Sequence, residues 1–154
     1  MHDALIEPAD PSASNAALPG LHHHMVERDY GLASKMGAPY SVELYAQAHR
    51  RLWERRAFYR RAFSEDPQNS IYRYLLQFSI DANEAALKRH LGVPKLALGP
   101  AFEARHFAHA NVGCVVDWLE GSVDATPDQL ARQMFSCIPD TLRRAYEHQG
   151  EIGA

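Results

Sequence analysis

Thr126-Pro127-Asp128-Gln129-Leu130-Ala131-Arg132-Gln133-Met134-Phe135-Ser136-Cys137-Ile138-Pro139-Asp140-Thr141-Leu142-Arg143-Arg144-Ala145-Tyr146-Glu147 decides the fold. Its first four residues are a helix start: threonine at the N-cap, proline at the first helical position and glutamine where a capping box needs it. At roughly 100° per residue, Leu130, Ala131, Met134, Phe135, Ile138, Leu142, Ala145 and Tyr146 fall on one half of the helix. Arg132, Gln133, Ser136, Asp140, Arg143, Arg144 and Glu147 fill the other half. Pro139 lies inside the run, and proline cannot donate the helical hydrogen bond, so the pattern predicts a kink near Phe135.

The same periodicity extends upstream, and no strand pattern interrupts it. A helix over 101–120 closes at Gly121. Ala104, Phe107, Ala108, Val112, Cys114, Val115, Trp118 and Leu119 share a broad arc, with Glu103, His106, Ala110, Gly113 and Asp117 opposite. A helix over 67–91 starts at Asp66-Pro67 and ends before Gly92 and Pro94. It is apolar over most of its circumference, the mark of a central helix. A helix over 41–54 is capped by Ser41. Its continuation would carry Arg56 and Arg60 into the apolar side, which predicts an offset near Arg55 and a short helix over 57–63. The expectation is an all-α bundle of about five helices.

Residues 1–40 differ. Pro8, Pro11, Pro19 and small polar residues dominate the first twenty, too little apolar surface to offset ordering entropy, so residues 1–40 are expected to be a flexible arm before a domain at 41–150. The His22-His23-His24 run suits a polar linker, a tag remnant or a metal site. With 154 residues the chain holds one domain, and its charge of −3 argues against an overall nucleic-acid-binding surface. Uncharged stretches fall far short of the roughly 20 apolar residues of a membrane span. Two cysteines, Cys114 and Cys137, in helical segments fit a reducing compartment, so the protein is expected to be cytoplasmic.

Trp118-Leu119-Glu120-Gly121 through Thr126-Pro127-Asp128-Gln129-Leu130-Ala131 resembles the end of the C-terminal domain of TetR-family transcriptional regulators. Phe102 to Gly113 is similar to the start of that family's glycine-containing apolar helix, and Arg56-Ala57-Phe58-Tyr59-Arg60 to the segment before its central helix. The resemblance covers about 44–148. It implies the ligand-sensing domain of a transcriptional repressor, dimerising through its last two long helices as a four-helix bundle. Such regulators begin with a helix-turn-helix unit of about 50 residues. Only about 40 residues precede this domain. Leu32-Ala33-Ser34-Lys35-Met36-Gly37 with Leu44-Tyr45 echoes the motif, but Pro39 and the register depart from it. DNA binding is therefore expected only through a helix-turn-helix not recognised in this chain.

The residues supply a matching site. The apolar arcs of the last two helices look wider than one neighbour needs, which predicts a homodimer. Its interface is expected at Ala110, Gly113, Cys114, Asp117, Trp118, Leu130, Met134 and Ile138. A small, mostly apolar effector is expected among Tyr45, His49, Trp53, Phe58, Tyr59, Leu76, Ser79, Asn83 and Asn111. Among these, His49 and Asn111 are polar groups on apolar arcs that must be satisfied by ligand, partner or neighbouring helix. Glu103, His106 and His109 have the spacing of a metal set but spread over about 120° on one helix, and a solvated face is the alternative. The arginine pairs between Arg50 and Arg61 encircle their helices rather than forming a stripe. No phosphate loop, nucleophilic triad or paired-carboxylate motif stands out, so neither enzyme activity nor a cofactor is expected. The competing readings are a dimerisation module without ligand, whose His49 and Asn111 would be bonded internally, and a metal-binding helical protein.

Overall fold

The computed structural model describes residues 41–65 and 70–148. The arm, the histidine run, the Leu32–Gly37 part of the helix-turn-helix echo and the Asp66-Pro67 start lie outside the described residues. Six helices and no strand occur among those described: α1 Val42–Glu54, α2 Arg56–Glu65, α3 Ser70–Leu91, α4 Leu98–Glu120, α5 Pro127–Ser136 and α6 Asp140–His148. The all-α expectation holds.

The local signals explain most boundaries. The Ser41 hydroxyl accepts from the Leu44 N–H at 3.3 Å and opens α1. The break at Arg55 removes the arginine conflict. The Arg56 guanidinium stands 4.7 Å above the Trp53 ring, and Arg60 donates through Nε to the Leu119 carbonyl near the end of α4. Long side chains thus cover apolar surface while their charges stay outside. Gly121 ends α4 at φ 93°, a left-handed conformation that glycine adopts without strain.

The capping box forms as the sequence requires. Gln129 N–H donates to Thr126 Oγ1 at 3.2 Å, and Thr126 N–H donates to Gln129 Oε1 at 3.0 Å. Thr126→Ala removes one half of this exchange. It is expected to lower stability by about 1 kcal/mol, read as a shift of the urea midpoint at constant slope. An unchanged midpoint would show that the box adds nothing to the folded state.

One correction concerns the last helix. The stretch is two helices broken over Cys137–Pro139, not one kinked rod. Its wide apolar arc is therefore two arcs with different neighbours: α5 packs chiefly on α1, and α6 on α3. Leu130, Ala131 and Met134 of α5 are buried, as are Ile138, Leu142, Ala145 and Tyr146. A single subunit hides the apolar surface that looked excessive, because the proline break re-aims half of it.

The core has two centres. One gathers Leu52, Tyr59, Ile71, Leu75, Val115, Trp118 and Met134. The other gathers Leu87, Phe107, Ile138, Leu142 and Tyr146. Helices α3 and α4 run through both.

Candidate functional site

Trp118 anchors the first core. It is fully buried, and its indole N–H donates to the Ala125 carbonyl at 2.8 Å, holding the turn before α5. Trp53 stacks on it with centroids 4.9 Å apart, and the edge of His49 meets it at 5.8 Å. Tyr45, one turn before His49 on α1, packs on the imidazole at 5.7 Å. The imidazole is therefore enclosed by aromatic rings.

His49 is 2 % exposed, and its Nδ1 atom has no hydrogen-bond partner. Burial lowers its pKa from 6.5 to about 4, because the apolar surroundings penalise the imidazolium. The ring is neutral at pH 7. On α4, the Oδ1 atom of Asn111 is likewise buried without a partner. Buried polar atoms are nearly always hydrogen-bonded, so these two atoms are exceptions to the rule.

Asn83 behaves differently. It is buried, its amide donates to the Ala104 carbonyl at 3.0 Å, and its Oδ1 accepts from the Tyr146 hydroxyl. One side chain thereby ties α3 to α4 and α6. Both ends of the amide are engaged within the chain, so Asn83 differs from His49 and Asn111. Burial also pushes the Tyr146 phenol above its ordinary pKa, keeping it a donor. The sequence placed Tyr146 on an apolar arc. No local signal pairs it with a residue 63 positions away.

Of the remaining pocket residues, Tyr59 is buried, while Tyr45, Trp53, Phe58, Leu76, Ser79 and Asn111 are half-buried. Tyr45, Trp53 and Phe58 pack against the first core, which includes Tyr59 itself. Of the residues expected at the dimer interface, Trp118, Leu130, Met134 and Ile138 lie within their own subunit's core. Ala110, Cys114 and Asp117 are exposed on α4 and Gly113 is half-buried.

The metal-like set separates. Glu103 Oε1 accepts from the Leu142 N–H at 3.3 Å, so its carboxylate caps the first turn of α6. His106 is exposed and stacks on Phe102 at 5.7 Å. Among the described residues no three metal-ligating side chains gather. The helix capping explains the acid that the spacing offered to a metal.

A charged pair adds to the α1–α5 contact. Arg50 donates to Asp128 at 2.7 Å and to Glu43 at 3.3 Å. The hydrogen bond from Arg50 holds the Asp128 carboxyl below its ordinary pKa. Both side chains are well exposed, so the pair adds orientation more than stability.

The profile of the TetR-type "transcriptional regulator C-terminal region" matches residues 46–140, and the chain belongs to this family. No curated protein and no solved structure matches it significantly. No helix among the described residues is long and apolar enough to cross a membrane.

Proposed function

We propose that this chain senses a small, mostly apolar effector and dimerises as part of a TetR-family transcriptional repressor in the cytoplasm. The effector is held among α1, α3 and α4. The carrying observation is that two buried atoms, His49 Nδ1 and Asn111 Oδ1, have no hydrogen-bond partner, whereas the buried amide of Asn83 is fully engaged within the chain. A dimerisation module without ligand requires both to be bonded within the chain, and neither atom is. Leaving a buried polar group unmade costs about 1–3 kcal/mol, so an effector that completes the bonds gains that much over one that does not.

The dimer uses the outer face of α4, where Ala110, Gly113, Cys114 and Asp117 follow the 61 % exposed Phe102. Effector entry shifts α1 and α4 against each other, and a helix-turn-helix outside the recognised part of the chain moves with them. No enzymatic step is involved.

Thermal unfolding of the full chain against a panel of uncharged hydrophobic compounds tests the reading. At least one is expected to raise Tm by several degrees in a concentration-dependent way. His49→Leu should unfold at the same or a higher temperature while losing that response, because it removes an orphan without opening a cavity. Sedimentation should give twice the 17.3 kDa chain mass. A panel with no binder would remove the sensing function, and a monomer at micromolar concentration the dimer.

A further inference from the structure

We infer that two copies of this chain pair α4 antiparallel against α4, about a two-fold axis level with Val112, with Arg105 of each copy facing Glu120 of the other and Gly113 at the closest approach. This rests on the dimer reading above and specifies how the two copies meet.

Three observations carry it. The first is a glycine. Gly113 lies well inside α4, where glycine weakens a helix relative to alanine. A Cβ at this position would meet only the Tyr72 hydroxyl, at 3.9 Å, an ordinary contact. No neighbour within the chain needs the space, so the fold of one copy does not ask for glycine here. The close approach of a second backbone does. The second observation is charge. Arg105, Asp117 and Glu120 are exposed on α4, and none of their side chains has a partner among the described residues. Arg105 and His106 precede the middle of the helix, and the two acids follow it. A parallel pair would set each charge level with its own kind. A perpendicular two-fold joins residues equally far on either side of the axis. Level with Val112, it brings Arg105 to Glu120, His106 to Asp117 and Ala110 to Gly113. At about 100° per residue, Arg105 and Glu120 lie toward one edge of the exposed face, and His106 and Asp117 toward the other. A two-fold of this kind joins like edges. The third observation is apolar surface. Phe102 is 61 % exposed and Val123 37 %. The same register sets Phe102 of one copy against the turn that carries Val123 of the other, so each covers apolar surface that a lone copy leaves in water.

Sedimentation equilibrium on the full chain at pH 7 tests the register through a charge-reversal cycle at exposed positions. Arg105→Glu and Glu120→Arg are each expected to weaken the dimer by about tenfold. The double variant restores opposite charges across the axis, so its Kd should return to within about threefold of wild type. Gly113→Leu is expected to weaken the dimer by about 100-fold or more, with the far-UV circular dichroism of the folded helices unchanged. The charge cycle decides the matter even if that variant does not fold. A double variant that dimerises no more tightly than either single variant, or a Kd unmoved by all of these changes, overturns the inference and leaves the dimer reading intact. A wild-type chain that stays monomeric overturns both.

Discussion

Replacing Trp118 with alanine is expected to remove about 3–5 kcal/mol of stability. The indole is fully buried, stacks on Trp53 and supplies the hydrogen bond that holds Ala125. Truncation opens a cavity beneath α1 and leaves the turn into α5 without its tether. Domains of this size are stable by about 5–15 kcal/mol, so the variant stands near the edge of folding at 37 °C. Trp118→Phe separates the contributions. It keeps most of the volume and loses the N–H, so it should fall between wild type and alanine. Urea titration followed by far-UV circular dichroism measures both. A loss below about 1 kcal/mol for the alanine variant would contradict an enclosed indole.

The second large effect is acid sensitivity centred on His49. Its folded pKa is depressed to about 4, whereas the unfolded chain has about 6.5. Between those values the unfolded state binds the proton and the folded state does not, so stability falls as pH falls. Above pH 6.5 this group contributes nothing. Near pH 4 the loss reaches about 3 kcal/mol, taking about 1.36 kcal/mol for each tenfold difference in proton affinity. Carboxylates also weaken the fold in acid, so the informative quantity is the difference between wild type and His49→Leu. Denaturant midpoints at pH 7, 6, 5 and 4 should diverge steadily, the variant gaining on the wild type at each step. Parallel curves would mean that the imidazole titrates in water-like surroundings.

Helix existence and type were legible because they rest on nearest-neighbour chemistry. The capping box at Thr126 and the terminating Gly121 lie within a few residues of what they control. The offset at Arg55 was legible for another reason: a continuous helix would carry Arg56 and Arg60 into the apolar side. Pro139 was read as a kink rather than a break. Its consequence depends on where the next helix can pack, and α3 lies far away in sequence. The width of the final arc misled for the same reason. Circumference was visible, but the change of neighbour between Met134 and Leu142 was not.

The site was legible by residue type but not by pairing. His49 and Asn111 stood out as polar groups on apolar faces, and both proved to have orphaned atoms. Asn83 belonged to the same class by pattern, yet Tyr146 satisfies it from the opposite end of the domain. Glu103 had the spacing of a ligand and serves as a cap, because the start of α6 comes to rest beside it. Which polar group finds a partner is decided by contacts between distant segments, and periodicity carries no information about those.

The nine-residue α6 has one more implication. A peptide of that length is too short to stay helical in water, where about 12–15 residues are the minimum. Its first turn borrows a carboxylate from α4, and its inner side rests on α3. Coiling and docking are thus a single event for this segment: lifted from its seat it unravels, and Tyr146 leaves Asn83 in the same motion. Helix formation and docking of α6 are therefore expected to be lost together, as one cooperative step.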